Sequence, residues 1–355
     1  MSKTAILIGY GGMGKRYFQA LKNLKFKVKA ICDKNINMLS GELPKNILLE
    51  KNYHKLINFD ADLLCVAANT KSRLDILNLF CKNGKIKRII TEKPLSTSYK
   101  NCLKIKKIAK RHKIRLLINT HRSYSPNFLF LKNIFDKHQE KPTKIFINSP
   151  SAGLGNMGST FFDLGLLFFN EKPKKIFGII DKTGTTNPRG KEFYDPGGYG
   201  TIIFDNKRKL FFDLSENTGL PYTITIRSKN LEVTFDEINN NVILKQRPKK
   251  MEKKPLYFYL FKPKITKLKV KHKFNVYKMT CFTIKEIFKK KFSYKNLDNA
   301  VIVMSCIFAT HISSKNNEII SLPLKKKFHN ININFAWTLP YYLEEKIAKV
   351  LKIKT

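Results

Sequence analysis

The sequence predicts an α/β fold: an N-terminal doubly wound parallel sheet, then an α+β domain with an open, mostly antiparallel sheet. Three observations predict it. Apolar runs alternate with amphipathic stretches from residue 4 to 121, which is the pattern of a parallel sheet with helices on both faces. A glycine-rich turn closes the first apolar run. Beyond residue 122 the spacing shortens, and strand-like runs separated by turn residues dominate. The boundary is expected at 122–125, giving one domain over 1–122 and a second over 123–355.

Taken in order, TAILIG (4–9) is a short apolar run ended by glycine, a buried strand. Residues 13–24 form a helix with Tyr17, Leu21 and Leu24 on one face. FKVKAICD (26–33) and ADLLCVAAN (61–69) are strands, and a helix follows over 72–84. IKRIITEKP (86–94) is a strand that stops at Pro94; a helix over 99–112 leads to the strand IRLLINTH (114–121). In the second part, helices over 126–138 and 157–170 flank the strand TKIFINSP (143–150). From 175 onward come KIFGIID, GYGTIIFDN, KLFFDLSE, YTITIRS, LEVTFDE and NVILKQR, then amphipathic helices near 276–290 and 297–314. KLKVKHKF (267–274) alternates strictly, with four lysines on one face of an expected edge strand.

The glycines Gly9, Gly11 and Gly14 make G-x-G-x-x-G between a strand and a helix. The first permits the tight turn, the second lets backbone approach a pyrophosphate, and the third lets helix and strand pack closely. The helix N-terminus adds free N–H groups and partial positive charge. Asp33 ends the second strand, at the distance where an acid reaches the adenosine ribose. The spacing therefore predicts a Rossmann domain that binds NAD, with NADP as the alternative because Lys34 stands beside Asp33.

TEKPLS (91–96) lies at a strand end, where such sheets bind their ligands. Lys93 is placed to take a hydroxyl proton as hydride leaves the same carbon, a role that needs a depressed pKa. Its plainer reading is a surface lysine paired with Glu92.

The glycine loop, Asp33, VAANT (66–70), EKP (92–94) and the switch to a strand-rich domain come in one order. That order resembles the Gfo/Idh/MocA oxidoreductase family over residues 4 to about 324. The resemblance implies a Rossmann domain plus an open-sheet domain, NAD or NADP as cofactor, sugars or nucleotide sugars as substrates, and homo-oligomers. It assigns the cofactor to Gly9, Gly11, Gly12, Met13, Gly14, Asp33, Asn69, Thr70, Arg73, Glu92 and Lys93. It assigns the substrate to Lys93, to His121, Arg122 and Tyr124 of the hinge segment NTHRSYSP, and to Asn156, Thr160 and Asp163.

One stretch departs from the family. Its second signature, Asp, His four residues on and Asp three further, shares one helix face. Here Asn156 and Thr160 stand in the first two places and only Asp163 remains. A threonine is no general base at neutral pH. Lys93 then works with Thr160 and Asp163 as orienting groups, or His121 or Tyr124 substitutes, or the protein is a catalytically weak binding member of the fold. GLGNMG (153–158) is expected beside the substrate. EFYDPGGYG (192–200) is a second candidate wall, with a plain turn as the simpler reading.

Composition narrows the rest. The 355 residues are 43% hydrophobic, enough to build cores. The formal charge is +42, but lysine supplies most of it and is spread widely, so composition drift explains it better than nucleic acid. The six cysteines are scattered without a CxxC pair and the histidines stand singly, so reduced thiols, a cytoplasmic location and no metal are expected. No targeting segment is expected, and no integral membrane segment, the longest apolar run being about half a span. The family resemblance, not composition, implies surface-polysaccharide biosynthesis as the expected setting.

Overall fold

A computed structural model describes residues 2–35, 43–150, 153–181, 187, 190, 192–205, 208–215, 219–273 and 275–335. Fifteen strands form two sheets among these residues.

The first sheet is built from β1 (Thr4–Ile8), β2 (Lys27–Cys32), β3 (Leu48–Glu50), β4 (Leu63–Val66), β5 (Arg88–Thr91) and β6 (Arg115–Ile118). All pairs are parallel, in the order β3-β2-β1-β4-β5-β6. The order reverses at β1, so β1 and β4 part at their carboxyl ends and open the crevice where such sheets hold a ligand. The helices α1 (Gly12–Asn23), α2 (Thr70–Asn83) and α3 (Tyr99–Arg111) supply the crossovers. The edge strand β3 is the one element of this sheet that the periodicity missed, being three residues long.

The second sheet holds nine strands: β7 (Lys144–Asn148), β8 (Lys175–Ile180), β9 (Gly198–Ile203), β10 (Lys209–Asp213), β11 (Thr223–Arg227), β12 (Leu231–Asp236), β13 (Asn241–Gln246), β14 (Lys264–Lys269) and β15 (Ile320–Ser321). Its order is β14-β13-β12-β11-β7-β10-β9-β8-β15. Every pair is antiparallel except β7 with β10. The lysine-rich strand is an edge, as its alternation predicts, but it starts and stops earlier than 267–274. It ends at Lys269, and Phe274 lies outside the described residues.

Five further α-helices occur among the described residues: α4 (Pro126–Lys137), α5 (Ser159–Phe169), the single turn α6 (Lys249–Glu252), α7 (Val276–Ile287) and α8 (Lys295–Asn316). Helix α5 packs against the inner face of the second sheet; Phe162 tilts over Phe212, and Phe169 meets Phe204 edge to face. Helix α7 returns to the first sheet. Its Cys281, Ile284 and Ile287 join Tyr17, Ala20 and Leu21 of α1 over the face lined by Ala5, Leu7, Cys65 and Ile90. One face of the parallel sheet is thus covered from α7, which starts at Val276, far beyond the end of that sheet's last strand at Ile118, and no local pattern announces it. Helix α8 is long and apolar enough to cross a bilayer, but 78% of its apolar window is buried within the fold. All six cysteines are buried and free.

Candidate functional site

The glycine loop has the geometry its spacing predicts. Gly9 sits at φ +91, the left-handed region, and a side chain there would strike the Ala67 backbone at 2.7 Å. A Cβ on Gly14 would meet the Gly9 carbonyl oxygen at 2.2 Å, so only glycine lets α1 begin this close to β1. Gly11, the N-cap of α1, has nothing within 4 Å of where its Cβ would lie. No side chain caps this helix and no acid stands in its first turn. A helix N-terminus without a capping side chain or an acid suits an anionic pyrophosphate. Gly12 and Met13 open the helix, and the Met13 sulfur accepts from Arg16 Nη1 at 3.4 Å.

Asp33 is tied to this loop. Its Oδ2 accepts from the Tyr10 backbone N–H at 2.6 Å and its Oδ1 from that of Asn35 at 2.9 Å. The carboxylate stays partly exposed, with lone pairs to spare for a ribose. These observations fit a dinucleotide.

At the next strand end, Asn69 caps α2 by accepting from the Ser72 N–H at 3.0 Å and stays exposed. Thr70 turns inward and donates to the Phe335 carbonyl at 3.0 Å. Arg73 is buried. Its guanidinium donates to the carbonyls of Ala68 (2.9 Å), Glu92 (2.7 Å) and Pro94. Burial lowers its pKa to about 10, with Glu92 opposing. Arg73 therefore fixes the two strand ends that carry the motif. Glu92 is buried beneath it and accepts from Asn119 Nδ2 at 2.8 Å; Asn119 Oδ1 in turn accepts from Thr283 of α7.

Lys93 reaches out of this framework. Its Nζ donates to the Asn156 carbonyl at 2.8 Å and to Asn156 Oδ1 at 2.6 Å. Its pKa is lowered to about 8, by burial first and then by Arg122 and Arg16, while Glu92 and Asp195 oppose them. Glu92 is not paired with it and accepts from the Asn119 amide instead.

Asp195 is the site residue that sequence reasoning missed. It lies in the stretch expected as a second wall, just before β9, and is 1% exposed. Its Oδ1 accepts from the Gly155 N–H at 2.6 Å and its Oδ2 from the Asn156 N–H at 3.0 Å. A Cβ on Gly153 would strike its carboxyl carbon at 2.4 Å. GLGNMG is thus a wide helical turn clasped by Asp195 on one side and by Lys93 on the other. Burial raises the Asp195 pKa to about 7, against the pull of the Gly155 N–H, Lys93 and the Asn156 N–H. No local signal marks Asp195, which meets Asn156 from 39 residues away.

The hinge residues diverge. His121 is buried, and its Nε2 has no hydrogen-bond partner among the described residues. Burial first, then Arg122, Lys93 and Arg16, hold its pKa well below the ordinary value, so the ring is neutral at pH 7. Arg122 is buried in a network: its Nε donates to Glu237 Oε2 at 2.9 Å and its Nη2 to the Tyr222 hydroxyl at 2.8 Å, beneath the Phe161 ring. Tyr124 and Asp163 line a cavity of about 280 Å³ together with Lys132, Lys295 and Asn296. Asp163 accepts from the Ser123 hydroxyl, and burial raises its pKa to about 6. It is not among the charges that act on Lys93. Thr160, one helical position from Ser159, is 1% exposed with no partner for its hydroxyl among the described residues.

Lys93 thus bonds to Asn156 and acts on His121 and Asp195, while Arg122 and Arg16 act on both Lys93 and His121. Asp163 and Tyr124 face the separate cavity. No cluster of three or more potential metal ligands occurs among the described residues.

Comparison with known proteins agrees with this architecture. Residues 3–120 match the model of the GFO_IDH_MocA oxidoreductase family, NAD-binding Rossmann fold. No curated protein matches the chain. Among solved structures, an oxidoreductase domain protein from Kribbella flavida superposes with a TM-score of 0.76 at 14% identity, covering 91% of this chain and 99% of that one. Levoglucosan dehydrogenase in complex with NADH gives 0.75 at 12% identity, covering 92% and 100%. An oxidoreductase from Agrobacterium radiobacter, in complex with NAD+, L-tartaric acid and magnesium, gives 0.72 at 12%, covering 90% and 98%. At these identities the likeness is one of fold, and it extends through both sheets.

Proposed function

We propose, from the premise that residues 3–120 are the NAD-binding domain of a Gfo/Idh/MocA oxidoreductase, that the chain oxidises or reduces a sugar at a CH–OH carbon. Nucleotide sugars of surface-polysaccharide synthesis are the substrate class proposed. The observation that carries this reading is Lys93: an amine at a strand end of the nucleotide domain, its pKa lowered to about 8 mainly by burial. The levoglucosan dehydrogenase neighbour supports a sugar, since the same fold holds levoglucosan there.

Bound NAD supplies the hydride acceptor. The chain's own work is the proton. Neutral Lys93 Nζ accepts it from the substrate hydroxyl, while Asn156 fixes the amine through two acceptors. His121, neutral and with Nε2 unpartnered among the described residues, accepts a hydrogen bond from a neighbouring hydroxyl. Asp195 is a positioning residue. It holds the backbone of Asn156, and its charge steadies the lysine. It supplies a buried carboxyl on the side where Asn156 and Thr160 lack the family's acid and histidine. Asp33 favours the ribose hydroxyls of NAD and opposes a 2′-phosphate.

Fluorescence titration with NADH and with NADPH, followed by a sugar and nucleotide-sugar screen, tests the reading. NADH is expected to bind more tightly. Lys93→Met is expected to abolish turnover and keep NADH binding. Turnover at the wild-type rate in that variant overturns the assignment.

A further inference from the structure

Between α6 and β14 the chain runs PLYFYLFKP, and this loop points its apolar side chains into solvent. Leu256 is 64% exposed, Tyr257 75%, Phe258 48%, Tyr259 73% and Leu260 89%. Five successive large apolar residues in water are a costly arrangement for a surface loop, and contiguous patches of this kind mark interaction sites. The loop is also built rather than loose. At its neck, buried Arg247 donates through Nη2 to the carbonyls of Lys254 (3.3 Å), Pro255 (2.9 Å) and Phe258 (3.3 Å), and lies over the Phe261 ring. Two turn bonds, Phe258 N–H to Pro255 and Phe261 N–H to Tyr259, shape the tip.

The collar that flanks the tip along the chain has one sign. Lys249, Lys250, Lys253, Lys254, Lys262 and Lys264 are all exposed, and Glu252 is the only acid from 247 to 273. We propose that this apolar tip and its lysine collar dock the protein on an anionic lipid bilayer. Leucine and aromatic side chains enter the headgroup boundary while the flanking lysines meet anionic lipids, and stable attachment takes both signals together. Tyrosine suits that depth because its ring is apolar and its hydroxyl is wet.

Charge and shape argue against the other occupants. A second copy of this chain seated symmetrically on the loop would set the lysine collar against itself. A single-stranded nucleic acid would use the aromatic rings for stacking, but Leu260, the most exposed residue of the tip, offers no stacking face. The proposal is independent of the oxidoreductase reading.

The full chain is floated with phosphatidylcholine vesicles, alone or with about a third phosphatidylglycerol. It is expected to rise with the anionic vesicles only and to release as salt increases, each lysine near the surface being worth roughly fivefold in affinity. Leu256→Ser with Leu260→Ser keeps every charge and is expected to lower retention at least tenfold, with an unchanged melting temperature and solution mass. Charge reversal at Lys253, Lys254, Lys262 and Lys264 is expected to abolish retention. Undiminished retention of the leucine variant overturns the proposal, since the affinity then lies elsewhere in the chain. So does absence of retention, a wild-type dimer that the leucine variant disperses, or binding to single-stranded RNA without binding to vesicles.

Discussion

Replacing Asp195 by Asn tests the link between the wide turn and the lysine. The two side chains have the same shape, so the close fit against Gly153 survives. Two things change. The amide keeps one acceptor oxygen, enough for the Gly155 N–H, and turns its NH2 toward the Asn156 N–H, which loses its partner. A buried donor left unpaired costs about 1–3 kcal/mol, so the melting temperature should fall. The second change is electrostatic. Asp195 opposes the fall of the Lys93 pKa from its ordinary value to about 8. Without that charge the amine should titrate lower, by roughly half to one unit, less than the one to three units of a directly contacting charge. Reductive methylation with labelled formaldehyde and NMR titration of the dimethyl-lysine signal reads that value without any substrate, and Lys93→Ala assigns the signal. Stability supplies a second readout. The Asp195 pKa is raised from an ordinary 3.8 to about 7 in the folded chain. Its contribution is therefore fully present below about pH 4 and is lost as pH rises through about 7, a slope the Asn variant should lack. An unmoved Lys93 titration together with an unchanged slope would refute the coupling and leave Asp195 as a cap on the turn.

Other consequences follow from the cradle and the hinge. Gly11→Ala should leave the melting temperature near wild type, since its Cβ meets nothing, while weakening NADH at least tenfold by crowding the pyrophosphate, as fluorescence titration would show. Gly14→Ala should instead destabilise the fold itself, because its Cβ would meet the Gly9 carbonyl at 2.2 Å; calorimetry separates the two. Arg122→Ala strands Glu237, which is wholly buried, and should cost about 3–5 kcal/mol in urea unfolding. Removing both partners as Arg122→Met with Glu237→Leu should cost less than the single change.

The features legible in the sequence are those that local chain geometry encodes. A strand, three glycines and a helix must be contiguous to cradle a phosphate, so Gly9, Gly11, Gly14 and Asp33 were readable, and so was the EKP motif at the end of β5. The strand-rich second part was readable from alternation, because strands such as β7, β10, β11 and β12 alternate buried with less buried residues. Elements without a local signature were not. Short β3 carries too few residues for a period, and α7 looks like any amphipathic helix until the first sheet is seen to need a cover.

The same distinction governs the chemistry of the site. Matching a one-face motif along α5 assumes regular helical spacing from Asn156 to Asp163. Here GLGNMG widens the backbone before Ser159, and Asp163 accepts from the hinge hydroxyl of Ser123. The turn can hold this shape because a carboxylate from 39 residues away accepts two of its N–H groups. That acceptor must be buried to exclude water from the bond, and burial is what lifts its pKa toward neutrality. The clasp that shapes the turn thus also sets a titratable carboxyl within electrostatic reach of Lys93. A sequence that has lost the acid and histidine of the helix therefore still carries a buried acid at this edge of the sheet, supplied by tertiary structure.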